Sequence, residues 1–155
     1  MKTSQGLLLV LVAGCADSYT PGELAGTYGL VAIEGQPPPV LEVATVECDQ
    51  SIGDGMLLLR SDATHELKLV IESDCTRGGG QLTLVDRVYA GSFGVDGDQL
   101  EFVSPHPTPA GNMIFHGRVR GSFVDIDLPS NVVGLDPTLN LRFDARRCTS
   151  VCPQP

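Results

Sequence analysis

Five cysteines carry the most readily assigned chemistry of this 155-residue chain. They stand at positions 15, 48, 75, 148 and 152. Cysteines of exported proteins form disulfides, whereas Cys and His grouped at short spacing bind zinc. In an exported chain, an odd number leaves one thiol that disulfides cannot use. The count therefore predicts one cysteine with a separate role and two disulfides among the other four.

The three histidines and one carboxylate pair are the candidates for acid–base or metal chemistry. His65 lies in a predicted turn, His106 between prolines and His116 in a predicted strand. They are far apart in sequence, and the cysteines are better explained as disulfides, so we predict no metal site and no cofactor. Asp125 and Asp127 share one face of a predicted strand, where a polar face is favoured over a general acid–base pair.

Other catalytic patterns are incomplete. Gly78-Gly79-Gly80 lacks the Lys-Ser/Thr of a phosphate-binding loop, and no serine has the Gly-x-Ser-x-Gly context of a hydrolase. The Cys148-x-x-x-Cys152 spacing is one residue longer than the redox spacing Cys-x-x-Cys. We therefore predict that the protein is not an enzyme; a hydrolase would need His106 or His116 beside a carboxylate in a cleft.

Composition and charge limit the class of protein and its partners. Apolar residues make up 42%, and the length suits one domain with one core. Gly (18) and Pro (11) are numerous, which is typical of folds with many tight turns. The net charge is −9, and a surface this acidic repels phosphate backbones, so nucleic acid is not expected as a partner.

The N-terminus has the arrangement of a secretion signal. Lys2 precedes an apolar run from Leu7 to Ala13, which is far shorter than the roughly 20 residues of a membrane-spanning helix. We predict that residues 1–14 are a cleaved signal peptide. Cleavage removes Lys2, and the net charge becomes −10.

The end of this leader, Leu11-Val12-Ala13-Gly14-Cys15, resembles the lipobox of bacterial lipoproteins. The resemblance implies that Cys15 carries a thioether-linked diacylglycerol and becomes the first residue of the mature protein. Two or more acyl chains give lasting membrane attachment. The expected location is the bacterial cell envelope, with the protein facing the periplasm or the cell surface. Ala16 after the cysteine implies outer-membrane sorting if the source is Gram-negative.

Assigning Cys15 to lipid leaves four cysteines for two disulfides. We favour the pairs Cys48–Cys75 and Cys148–Cys152. A hairpin between residues 56 and 72 brings residues near 50 beside residues near 74, and the last two cysteines close a five-residue loop. The alternative is a C-terminal tail that is bound to Cys75.

The mature chain alternates short strands with turns, and no convincing helix appears after the leader. Alternation is clearest where Leu67, Leu69 and Ile71 share one face. Asp96-Gly97-Asp98 is a strong hairpin signal, and a phase slip at Phe123-Val124 indicates a bulge. The predicted strands lie near 26–33, 40–46, 56–60, 66–72, 82–95, 99–103, 113–118, 121–128 and 139–143. Eight or nine strands predict an all-β fold, either a barrel or a β-sandwich.

Several short motifs are similar to those of the small lipocalin-like domains found in bacterial lipoproteins. They are Gly26-Thr27-Tyr28, the turn at Ser61–Thr64, Gly91-Ser92-Phe93 leading to Gly97-Asp98, and the closing Leu141-Arg142-Phe143. The resemblance implies a single antiparallel barrel of about eight strands. The predicted organisation is a signal peptide (1–14), a lipidated N-terminus and short tether (15–24), the β domain (25–147) and a disulfide-closed tail (148–155).

Two functions follow from this interpretation. In the first, the lipid-anchored barrel binds a small hydrophobic ligand. In the second, side chains fill the barrel, and the domain is a structural or protein-interaction module of the envelope with a protein partner. The interior volume of the barrel distinguishes the two.

Overall fold

The computed structural model describes residues 18–105, 111–129 and 138–145. Nine strands account for most of these residues, with one short helix α1 (Pro21–Leu24) and a 3₁₀ turn at Thr76–Gly78. The strands are β1 (Gly26–Ile33), β2 (Val40–Ala44), β3 (Asp49–Leu59), β4 (Thr64–Asp74), β5 (Leu82–Asp96), β6 (Gln99–Pro105), β7 (Asn112–Arg120), β8 (Phe123–Pro129) and β9 (Thr138–Asp144). The predicted all-β class is confirmed.

Eight of the strands close into an antiparallel barrel. From β3 to β9, each strand pairs with the next along the chain, β9 pairs with β1, and β1 returns to β3. In the closed part of the barrel, each strand is paired on both sides and has no free edge. All-β domains avoid uncontrolled strand association in this way. The barrel prediction is confirmed, and the β-sandwich alternative is wrong.

The ninth strand, β2, lies outside the barrel. Strand β3 is 11 residues long, and β1 pairs only with its last four residues, Met56–Leu59. Strand β2 pairs with the other half of β3, from Asp49 to Ile52. The long strands β3, β4 and β5 therefore extend past the closed part of the barrel as a sheet, and β2 adds to it.

Alternating side chains fill the inside of the barrel. On β4, His65, Leu67, Leu69 and Ile71 are buried, while the residues between them are partly exposed. Strands β6 and β7 show the same period of two, as expected for a wall with one face on a core, whereas on β8 and β9 Asp125 and Asp144 are also buried. The largest side chains that are almost completely buried are Phe102, Phe115, Phe143, Ile33, Ile52, Leu57, Leu59, Leu67, Leu69, Leu100, Ile126 and Leu141.

The chain begins to pack before the predicted end of the tether. The residues of α1 form one helical turn, and the Glu23 carboxylate accepts hydrogen bonds from the N–H and hydroxyl of Thr20 (2.7 and 2.8 Å). These bonds lower the pKa of Glu23. Leu24 is buried, and its carbonyl accepts a hydrogen bond from the Tyr28 hydroxyl (2.8 Å). Part of segment 15–24 therefore belongs to the folded domain.

The bulge expected at Phe123-Val124 is absent. The pairing of β8 with both neighbours is regular, and Val124, Ile126 and Leu128 point inward. Phe123 lies on the outer face, where the Arg142 guanidinium sits 5.7 Å from the centre of its ring. Phe123 is apolar although it lies on the outer face, where the Arg142 cation covers its ring. In the sequence it therefore breaks the alternation of apolar and polar residues, and this break was interpreted as a bulge.

Candidate functional site

The barrel interior is where the first predicted function would place a ligand, and aromatic side chains occupy it. Phe102 of β6 stacks on Phe115 of β7, with ring centres 4.8 Å apart. Phe93 of β5 packs against Phe102 at 6.1 Å. All three rings are buried. The wall strands thus contribute a packed aromatic cluster to the core.

One polar pair lies within this core. The His65 Nε2 atom of β4 is 3.0 Å from the Ser104 hydroxyl of β6, and both residues are buried. The intervening strand β5 has Gly91 opposite His65. A side chain at position 91 would collide with the Val103 carbonyl and the Ser104 backbone. The absence of a side chain there brings β6 close to β5 and lets the imidazole reach Ser104.

His65 is therefore a core residue and not the turn residue predicted from the sequence. Its ring makes edge contacts with Phe102 (5.0 Å) and Phe115 (5.7 Å). Burial lowers the pKa of His65 below its ordinary value, partly opposed by the Ser92 backbone, and the Arg60 charge adds slightly to the lowering. The neutral ring is the form that suits this environment. The Ser104 hydroxyl contacts only Nε2, and the buried Nδ1 atom of His65 has no hydrogen-bond partner among the described residues.

The two carboxylates considered for acid–base chemistry form cross-strand contacts on the outer face. Asp125 accepts two hydrogen bonds from Arg142 (2.6 and 3.1 Å), and Arg120 lies 3.4 Å away. Asp127 accepts a hydrogen bond from the Asn140 side-chain amide (2.9 Å). The bidentate contact raises the pKa of Arg142 further. This arrangement is that of a polar ladder that joins β8 to β9.

One histidine lies beside these carboxylates, on the exposed outer face of the barrel. His116 is exposed on β7 opposite Asp127, and His106 lies outside the described residues. Within residues 18–105, 111–129 and 138–145, no group of three or more His, Cys, Asp or Glu side chains is placed to bind a metal. No helix among the same residues is long and apolar enough to cross a membrane.

The disulfide between Cys48 and Cys75 is confirmed. It joins the turn between β2 and β3 to the end of β4, at the tip of the extended sheet. Arg77 and Asp49 form an ion pair at the same tip. Cys15, Cys148 and Cys152 lie outside the described residues, so lipidation of Cys15 and the second disulfide stay predictions.

A different feature of this sheet stands out as a candidate interaction site. Strand β5 pairs with β4 along 11 residues, from Leu82 to Ser92, but with β6 only from Ser92 to Asp96. We call residues 82–86 the β5 extension. No described strand pairs with its outer edge, and all five residues are exposed.

The sequence directly after β6 is unfavourable for a strand. Strand β6 ends at Pro105, and Pro107 and Pro109 follow at alternate positions. Proline has no N–H to donate and a fixed φ, so a run of alternate prolines is a poor continuation of a strand ladder. The sequence that follows β6 therefore does not favour a longer strand partner for β5.

The β5 extension exposes apolar side chains on both faces. Leu82 and Leu84 are 55% and 67% exposed on the outer face, and Val85 is 56% exposed on the other. Val88 continues the outer face at 52%. Edge strands of monomeric proteins are usually short or protected by charge, and adjacent exposed apolar residues on one of them indicate a binding site.

Sequence reasoning did not identify this feature, although a signal was available. The predicted strand 82–95 had a predicted partner of only five residues, 99–103, and the three prolines came directly afterwards. Because the first strand of this hairpin is longer than the second, part of its edge has no partner within the hairpin. Comparisons with protein-family models, with curated proteins and with solved structures found no match to this chain.

Proposed function

We propose that this protein is a lipid-anchored protein of the bacterial cell envelope whose barrel is a packed scaffold for contact with another envelope protein. The lipobox-like sequence before Cys15 supports the anchor. The observation that carries the scaffold role is the packed interior, to which all eight barrel strands contribute buried apolar side chains, among them the stacked pair Phe102 and Phe115. The exposed apolar β5 extension supplies a surface for a partner.

The alternative function, binding of a small hydrophobic molecule inside the barrel, has less support. Small-molecule sites are concave, with a few polar groups that point into a cavity. In the described core, the Nε2 atom of His65 already contacts the Ser104 hydroxyl (3.0 Å), and the rings of Phe102 and Phe115 pack against the imidazole. Native mass spectrometry of protein purified from its host tests this alternative directly, because a retained ligand adds its mass to the protein.

Two measurements test the proposed function. Intact-mass analysis of the membrane fraction is expected to find the chain starting at residue 15 with acyl chains attached, and Cys15→Ser is expected to move the protein to the soluble fraction. Photo-crosslinking in intact cells is expected to join the anchored protein to one defined envelope protein. An unmodified residue 15, or a uniformly uncrosslinked protein, would contradict the proposal.

A further inference from the structure

We propose that the β5 extension binds an extended, basic segment of a partner protein, which adds to the sheet as a further strand beside β5. This inference rests on the proposed function and specifies its binding mode. Strand addition at a sheet edge uses main-chain hydrogen bonds for affinity and alternate side-chain contacts for specificity. The β5 extension offers both, since its edge lacks a described strand partner and its side chains are exposed.

Residues 82–86 contain no proline, no lysine and no inward-pointing charge, although Arg87, the next residue, lies on the inner face opposite Leu69. Proteins block edges with proline, with inward-pointing charges or with exposed lysine. The charge on the outer face of the extension, Asp86, forms an ion pair with Lys68 of β4 (2.6 Å) and so is already neutralised. Leu82 and Leu84 flank it on the same face, and Val85 lies on the opposite face. A strand laid beside β5 would cover these apolar side chains on both faces.

Charge favours a basic partner over a second copy of this chain. Residues 40–91, which contain the extended sheet, include nine acidic and four basic residues, and the whole chain carries −9. Glu72 and Asp74 of β4 stand opposite Leu84 and Leu82 in the β4–β5 ladder. A new strand would lie about 10 Å from them, within the screening length at moderate ionic strength. Two copies would bring two acidic sheets together, whereas lysine or arginine on a partner would be attracted.

The disulfide supports the same site by fixing the end of β4. Cys75 follows Asp74 directly, and its bond to Cys48 ties the end of β4 to the turn before β3. Leu82 pairs with Asp74, so the start of β5 is held against a covalently restrained strand. A preorganised edge lowers the ordering cost of strand addition.

The test uses fluorescence anisotropy with the full-length lipidated protein in detergent micelles. The probe is a fluorescein-labelled ten-residue peptide of alternating lysine and valine. One comparison peptide has glutamate in place of lysine, and another keeps the lysine–valine sequence but is N-methylated at alternate amides. We expect the lysine–valine peptide to bind at least tenfold more tightly than either. Equal binding of all three would overturn the proposal.

Variants locate the binding. The double variant Leu82→Ser/Leu84→Ser is expected to weaken binding of the lysine–valine peptide at least tenfold, whereas Ile114→Ser leaves it unchanged. Ile114 is a matched control because it is an apolar residue of similar exposure (51%) on β7. Hydrogen exchange is expected to slow at residues 82–86 when the peptide is added and to stay the same across β7. Protection elsewhere would overturn the site.

Two further outcomes separate this inference from the proposed function. A dimer in sedimentation velocity that the Leu82→Ser/Leu84→Ser variant abolishes would overturn the basic partner in favour of a second copy. If the peptide fails to bind but crosslinking in cells joins a partner to a different face, the strand-addition site is wrong and the proposed function stands. If crosslinking also finds no partner, both are wrong.

Discussion

The protonation of His65 is coupled to the packing of the barrel core. Its imidazole is buried among phenylalanine rings, and its Nε2 atom lies 3.0 Å from the Ser104 hydroxyl. Protonation would place a positive charge in this apolar core, which is why burial lowers the pKa of His65. The unfolded chain keeps the ordinary value near 6.5.

The direction of the pH effect follows from this difference. Between the lowered folded-state pKa and 6.5, the unfolded state binds more protons than the folded state, so the free energy of unfolding falls as the pH decreases. We expect urea unfolding between pH 7.5 and 5.0 to show this loss, and His65→Phe to reduce the slope. The comparison variant is His116→Phe, which removes an exposed histidine of β7. Equal slopes for His65→Phe and wild type would contradict a titrating core histidine.

Removal of the Ser104 hydroxyl is a second change with a predictable effect on stability. Ser104→Ala leaves the buried Nε2 of His65 without its partner, and an unsatisfied buried polar atom costs about 1–3 kcal/mol. We expect the free energy of unfolding to decrease by that amount at pH 7.5. Ser51→Ala is the control, because Ser51 lies on the outer face of β3 and is only partly buried. A smaller effect of Ser104→Ala than of Ser51→Ala would show that the core pair contributes nothing.

At the level of elements, the course of β5 depends on one glycine. Gly91 lies where β5 leaves its short pairing with β6, and a Cβ atom there would overlap the Val103 carbonyl. We expect Gly91→Ala to lower the free energy of unfolding by about 1–3 kcal/mol or more, because backbone and not a movable side chain must shift. Gly94→Ala is the control on the same strand, since a Cβ there meets nothing within 4 Å. Equal urea midpoints for the two variants would rule out the close approach.

The disulfide acts on two hairpins together. Cys48 and Cys75 are 27 residues apart, and closing a loop of that size in the unfolded chain corresponds to about 3.5 kcal/mol in the chain-entropy model. We expect Cys48→Ala/Cys75→Ala to lose a large part of this stability and to exchange amide hydrogens faster near residues 72–84. The variant Cys148→Ala/Cys152→Ala is expected to leave exchange in that segment unchanged. Unaltered exchange in the first variant would contradict a restraining role.

Local patterns predicted most of the elements but not how far they extend. Alternation at Leu67, Leu69 and Ile71 and the Gly97 turn placed β4 and the β5–β6 hairpin correctly, because burial on one face and a required turn conformation both appear in nearby residues. His65 was assigned to a turn because it is polar and follows Asp62. Its burial depends on Gly91 and Ser104, which are far away in sequence. The β5 extension was missed because it arises from a difference between two pairing partners.

The whole molecule has two distinguishable ends. Tyr19 donates a backbone hydrogen bond to the Gly97 carbonyl (3.4 Å), so the N-terminal segment begins beside the β5–β6 turn. Cys15 and Ser18 are three residues apart in sequence, which corresponds to at most about 11 Å. From Asp96 back to Leu82, β5 runs for about 45 Å if it is straight. Anchoring at Cys15 would therefore hold the turn end near the membrane and direct the β5 extension away from it.

Because the interior is packed, a substitution that removes a core ring can distinguish a scaffold protein from a protein that carries a ligand in its barrel. Phe115→Ala removes a ring from the stack with Phe102 and is expected to cost about 3–5 kcal/mol and to leave an apolar cavity. Such a cavity binds small apolar molecules. Benzene is therefore expected to raise the melting temperature of Phe115→Ala but not that of the wild type. If Phe115→Ala does not fold, Phe115→Leu tests the same point with a smaller cavity.

Phe123→Ala is the matched control, because its ring lies on the outer face under Arg142 and its removal opens no internal space. Benzene should leave its melting temperature unchanged. The opposite pattern, in which the wild type already gains stability from benzene or from a fatty acid bound in a one-to-one ratio, would mean that the barrel holds space that its own side chains do not fill. That result would favour ligand binding, because an apolar molecule that stabilises the native protein must occupy a site present in the folded state.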